Sequence, residues 1–262
     1  MTTAPETAGC GDAHDCSDHD HGPTGADIVR GLVRGLSVAA LAIPVLALAL
    51  ILIALPFAPT TPLPLLLGMT LGFLQLLTVL LIGMIARGGR ASLAVHPVVL
   101  AVRSLIEEGL RLGIALLAIA LWPFELPGRL GVWVGLGAAL VWMAVALLQT
   151  ISARRRVARP SDWSREAIAT LLSERVGVRS TIVMRLLDVT GSALFQIGAT
   201  VLVALAPVLV IGTLVLSIAS MMSTLLLQRR APAQRVRSVW AYAPVGIAVM
   251  TIALALFGIS AL

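Results

Sequence analysis

Glu107, Glu108 and Arg111 stand in the middle of a long apolar run, and they are this chain's clearest candidates for chemistry. Two adjacent acids with an arginine one helical turn away can activate a water, hold a metal or carry an ion. Charges at membrane depth are costly, so each should face protein or water and find a partner. His96, Leu100, Arg103, Glu107 and Arg111 recur at helical spacing, which puts four polar groups on one face. Glu107 is expected to pair with Arg103 and Arg111, each four residues away. The competing reading is an ion-paired structural lock with no chemistry.

A second polar stripe follows later in the chain. Arg185, Asp188, Ser192, Gln196 and Thr200 share a face, and Thr213, Ser217, Ser220 and Thr224 form a milder one. The simplest packing turns these stripes toward the glutamates, with Arg185 beside them and Asp188 near Arg103 or Arg111. The expected polar cavity is lined by His96, Arg103, Arg185, Asp188, Ser192 and Gln196. Ser, Thr and Gln in such helices also serve as plain interhelical glue. Gly68, Gly72, Gly131 and Gly135 are expected as small-residue packing contacts.

A third group lies near the N-terminus. Cys10, His14, Cys16, His19 and His21 are interleaved with Asp12, Asp15, Asp18 and Asp20. Thiolate and imidazole so close together could wrap zinc or another divalent transition metal. The spacing matches no closed zinc finger. The alternative is an acidic tail that binds metal loosely or not at all.

The run Ser104-Leu105-Ile106-Glu107-Glu108-Gly109-Leu110-Arg111 resembles the signature of Glu-Glu intramembrane proteases, nearest to the PrsW-like and YhfC-like branches of the CAAX-protease superfamily. The segment from Arg185 to Val203, with Gln196-Ile197-Gly198 at its centre, is similar to that family's second conserved helix. The resemblance implies catalytic roles for Glu107, Glu108 and Arg111, one glutamate acting as general base on a water. It also implies histidines on later helices, and here the matching position holds Gln196. The last three apolar runs contain no His, and His96 alone lies outside the tail. Catalytic zinc takes about three protein ligands, and Glu107, Glu108 and His96 could supply them only in an arrangement unlike the family's.

The elements that must position these groups are helices in lipid. Of 262 residues, 58% are hydrophobic and only 12% charged, and the mean hydropathy is +0.99. Soluble domains carry about twice that share of charge, so the bilayer must be the solvent. The expected fold is an all-α polytopic bundle of about seven spans, at 36–57, 64–86, 97–122, 130–150, 182–204, 208–228 and 239–261. Pro207 divides the fifth from the sixth as a tight hairpin. Trp122, Trp133 and Trp240 fall near span ends, as interfacial aromatics do.

All nineteen basic residues are Arg, a bias that fits a high-GC coding genome. They crowd the loops of one side, while the loops at 57–63, 123–129 and 205–207 hold Arg129 alone. The positive-inside rule then puts the N-terminus in the cytoplasm and the C-terminus outside. Residues 1–26 are read as a disordered cytoplasmic tail without a secretory signal, and 27–262 as the transmembrane domain. Within it, residues 161–176 form an amphipathic cytoplasmic helix. Ser161 is its N-cap, and Trp163, Ile168, Leu171 and Leu172 form its apolar face. Two cysteines exclude a disulfide framework. The pI of 11.1 reflects orientation, not nucleic acid.

The expected home is the cytoplasmic membrane of a bacterium, with the lipid bilayer and a membrane protein as partners. With the family's histidines missing, the resemblance points to a non-catalytic relative, a membrane scaffold or regulator. Two alternatives stay open: a small metal-ion or solute transporter with the tail as a collecting arm, and an active intramembrane protease.

Overall fold

The computed structural model describes residues 25–88, 96–159, 178–230, 232–235 and 238–261. Cys10, His14, Cys16, His19 and His21 lie outside the described residues, as does the amphipathic helix expected over 161–176. Seven long helices follow in order: α1 (Gly25–Ala54), α2 (Leu63–Gly88), α3 (Pro97–Leu121), α4 (Pro127–Val157), α5 (Val178–Leu205), α6 (Val210–Gln228) and α7 (Ala243–Ser260). No strand occurs among the described residues.

Prolines set several of the boundaries. α3 and α4 begin on Pro97 and Pro127, where the missing N–H belongs to a turn that has no acceptor anyway. α5 ends before Pro207, and a short 3-10 turn at Pro207–Leu209 leads into α6. The last helix starts later than expected. Val239–Ala241 is a separate 3-10 turn, and Pro244 sits in the first turn of α7. α1 begins earlier than the apolar run, at Gly25, so its first turns carry Asp27 and Arg30 as an exposed ion pair at 3.8 Å.

Six of these helices are long and apolar enough to cross a bilayer. The set is compatible with a multi-pass integral membrane protein surrounded by lipid. Large apolar side chains such as Leu41, Ile85 and Phe257 face outward, which lipid tolerates and water does not. α3 stands apart. Its 25 residues span about 38 Å at ~1.5 Å each, but it carries Arg103, Glu107, Glu108 and Arg111.

The contacts fix the direction of each helix. Gly68 and Gly72 meet Val134 and Val141, so α2 and α4 run parallel. Gly131 and Gly135 meet Val201 and Ile197, so α4 and α5 run antiparallel. Gly191 and Gly198 meet Val245 and Ile252, so α5 and α7 run parallel. Successive helices therefore alternate. The loops after α1, α3 and α5 gather at one end, where Gly128 lies beside Leu205 and Ile259. There the Thr60 backbone N–H donates to Glu125 Oε1 at 2.7 Å. Arg154, Arg155 and Arg156 close α4 at the opposite end, with Arg229 and Arg230 following α6 there.

α4 and α5 form the centre. In their most apolar 18-residue stretches 61% of the residues are buried, against 22% or less for α1, α2, α6 and α7. Glycine permits the close approach. A Cβ at Gly131 or Gly135 would lie 2.7 Å from the facing Cα of Val201 or Ile197. At Gly68 and Gly137 it would strike backbone atoms of the neighbouring helix outright.

Two predictions follow from these contacts. Gly68→Val removes room that backbone must yield, at a cost of at least the 1–3 kcal/mol of ordinary overpacking. Its unfolding midpoint in detergent drops well below that of Gly83→Val, where the space is open. The second concerns Glu125. The Thr60 N–H holds its carboxyl below the ordinary value of 4.5. A folded-state pKa below the unfolded one stabilises above the unfolded value and is lost as pH falls through the folded one. Hydrogen-exchange protection at Thr60, corrected for intrinsic rate, exceeds that of Glu125→Gln at neutral pH. The two converge as pH falls through that lowered value.

Candidate functional site

α3 presents two adjacent polar rows to different neighbours. In the first, the Arg103 Nε–H donates to Glu107 Oε1 at 2.6 Å, one turn along the same helix. In the second, Arg111 reaches back three residues and donates through Nη1 to Glu108 Oε1. This corrects the expected pairing: Arg111 is bonded to Glu108, not Glu107. The reason lies in what surrounds it. The other terminal nitrogen of Arg111 donates to Gln196 Oε1 on α5 at 2.8 Å. Thr213 on α6 donates its hydroxyl to Glu108 Oε2 at 2.7 Å, with the Val210 carbonyl oxygen a longer alternative acceptor at 3.1 Å. Three helices thus converge on one ion pair.

The rest of the sequence prepares that convergence. Gly135 lets α4 press against the backbone of α5 at Gln196 and Ile197, which sets the height of Gln196. Thr200 closes its hydroxyl onto the Gln196 carbonyl oxygen at 2.7 Å. The Phe195 ring lies under the Arg111 guanidinium, 5.5 Å from Cζ to centroid, a cation–π contact in a dry setting. The Arg111 side chain is only 1% exposed. Its Nε–H is nonetheless without a partner among the described residues.

Beside this lock a cavity of about 170 Å³ opens, and Arg103, Glu107, Arg111, Ser192, Gln196 and Ser220 are in its wall. A second, of about 440 Å³, continues it past Leu100 and Gln228 toward the arginine-rich end. Both are lined by Arg103 and Asp188. Together they make a polar cleft between α3, α5 and α6 that stops at Arg111. Beyond that point Leu112, Ala115, Val203, Ala204 and Val210 pack as an apolar cluster.

Two expected members of the site are elsewhere. His96 is exposed at the start of α3, where its Nδ1 accepts the Val98 N–H at 3.3 Å. It caps the helix ahead of Pro97, some 16 Å short of Glu107 at ~1.5 Å per residue. Arg185 does not approach the glutamates. It donates to Gln149 Oε1 on α4 at 2.7 Å and lies 3.7 Å from Asp188 on its own helix. Arg185 shares a face with Gln196 but sits about three turns nearer the arginine-rich end, too far to reach.

Some contributors gave little sign of themselves. Gln75 on α2 is fully buried and accepts the Trp142 indole N–H at 3.0 Å, which orients that ring at the cleft wall. A lone amide in an otherwise apolar helix is the one signal that could have found it. Among the described residues no group of three His, Cys, Asp or Glu is placed to hold a metal ion.

The two glutamates should differ sharply on substitution. Glu108→Gln leaves the Arg111 charge buried and uncompensated, a loss of about 3–5 kcal/mol. Glu107→Gln breaks a pair whose glutamate is buried but whose arginine is 26% exposed and reaches the open cleft, so the stranded charge costs less. Denaturant titration in detergent micelles measures both, and equal losses would contradict the geometry.

No protein-family model, curated protein or solved structure matches this chain.

Proposed function

We propose that this chain crosses the cytoplasmic membrane of a bacterium seven times, N-terminus in and C-terminus out. In this reading it is a non-catalytic relative of the Glu-Glu intramembrane proteases that binds a membrane partner as a scaffold or regulator. The alternation of the helices and the arginines at one end support the topology. One observation carries the functional reading: Glu108 has both carboxylate oxygens engaged, by Arg111 and Thr213. The Gln196 side-chain oxygen is likewise taken by Arg111.

A general base needs a free lone pair within reach of the water it activates. Glu108 is 1% exposed and stands outside the cleft wall, so the lone pairs that Arg111 and Thr213 leave open face no space for a water, and Gln196 cannot replace the titratable histidine that the resemblance would require. Glu107 faces the cleft but is hydrogen-bonded to Arg103. What remains is a built polar recess with a rigid floor, which suits recognition better than turnover. The apolar cluster below Arg111 favours binding over passage for the same reason, because an ion moving through it would lose every polar contact.

Comparing membrane proteomes of cells carrying wild type or Glu107→Gln tests this. The same polypeptides at the same lengths are expected, with no Glu107-dependent ion flux in proteoliposomes. A membrane polypeptide cut only in the wild type would replace this reading with proteolysis, and a flux lost in Glu107→Gln would replace it with transport.

A further inference from the structure

Three acid–arginine pairs lie in or next to the cleft, contributing Arg111, Arg103, Glu107 and Asp188 to its wall, and they grow looser toward its mouth. Glu108–Arg111 is fully buried, Arg103–Glu107 is close but partly open, and Arg185–Asp188 is long, at 3.7 Å. The Asp188 side chain is 68% exposed. Arg185 spends its hydrogen bond on Gln149, and among the described residues nothing donates to the Asp188 carboxylate. Across the cleft, Arg103 uses only Nε, toward Glu107, so its two terminal nitrogens meet no described acceptor. Arg103 and Asp188 line the same two cavities without pairing with each other. Below them, the Arg111 Nε–H is buried and lacks an acceptor.

We propose that the cleft is a receptor for a zwitterion, with Arg103 holding its anionic group and Asp188 its ammonium. The three pairs sum to zero charge, so an ion of either sign would enter with an uncompensated charge. A neutral molecule carrying both signs satisfies Arg103 and Asp188 together. Guanidinium nitrogens match carboxylate or phosphate oxygens in a charge-assisted bond, and an exposed carboxylate suits a primary ammonium. The Arg111 Nε–H then serves an uncharged acceptor deeper in, such as a carbonyl oxygen. A cavity of about 170 Å³ holds roughly six water volumes at ~30 Å³ each, room for a group of several heavy atoms. Phosphoethanolamine-type lipid headgroups and free amino acids share this chemistry. The inference deepens the binding reading above and rests on it.

The test uses the full chain in detergent and follows tryptophan fluorescence, because Trp142 lies at the cleft. The probes are alanine, glycerophosphoethanolamine and a short-chain phosphatidylethanolamine. Ethanolamine and a short-chain phosphatidylglycerol supply one charge each. Saturable quenching by at least one zwitterion is expected, at least tenfold tighter than by either singly charged probe. Trp142→Phe should lose the quenching while that zwitterion still raises the melting temperature. Asp188→Asn should weaken binding at least tenfold, with recovery in Asp188→Glu. Arg103→Gln should do the same, with recovery in Arg103→Lys.

Saturation by phosphatidylethanolamine alone assigns a lipid headgroup, and saturation by alanine or glycerophosphoethanolamine assigns a soluble solute; either supports the proposal. Equal affinity for singly charged probes overturns it, as does failure of every zwitterion to saturate or unchanged binding in Asp188→Asn. If Arg103→Gln does not fold, probe selectivity and Asp188→Asn still decide, since Asp188 is largely exposed. Glu107-dependent cleavage would defeat the scaffold reading without touching these affinities, so the two failures are told apart.

Discussion

A carboxylate and a guanidinium removed from water must satisfy each other and still have their remaining hydrogen-bonding groups met. Glu108 and Arg111 impose that demand on the centre of this bundle. Glu108 fixes α6 through Thr213, and Arg111 fixes α5 through Gln196. α4 in turn must press close behind Gln196, and Gly131 and Gly135 give it the space. Four helices are thus positioned by one charged pair, whose strength comes from the absence of competing water.

The cleft is the other side of the same constraint. Because the lock consumes Glu108, Gln196 and most of Arg111, the polar groups left over lie nearer the arginine-rich end. Glu107 and Arg103, bonded to each other, share a cavity wall with Asp188 and do not pair with it. A recess so built has a stiff floor and more adaptable walls, since Arg103 and Asp188 are partly exposed and free to reorient. That division suits selection of a partner by charge pattern and shape.

Helix existence was legible from residue order, because a run of about twenty apolar residues has one stable form in lipid. The break at Pro207 and the packing roles of Gly68, Gly72, Gly131 and Gly135 were legible for equally local reasons. Pairings were not. The four-residue rule joins Arg111 to Glu107, yet Arg111 turns to Glu108 because Gln196 and Thr213 wait on that side, and neither helix can be placed from periodicity. Arg185 failed as a partner because a helical face specifies direction and leaves height unspecified. His96 was claimed for the cavity, but the following Pro97 opens a helix, and the residue before it is taken as a cap.

α3 also bears on how such a protein is made. Each charged residue near the centre of an isolated helix disfavours membrane insertion by about 2.5–3.5 kcal/mol, and α3 carries Arg103, Glu107, Glu108 and Arg111. As it leaves the ribosome, it meets neither Gln196 nor Thr213, which are synthesised some eighty-five and a hundred residues later. In the proposed seven-span topology, stable lodging of α3 in lipid has to wait for α5 and α6, making biogenesis a delayed, cooperative event. A nascent chain cut short before Thr213 would hold its most polar helix at the surface, within reach of quality-control proteases.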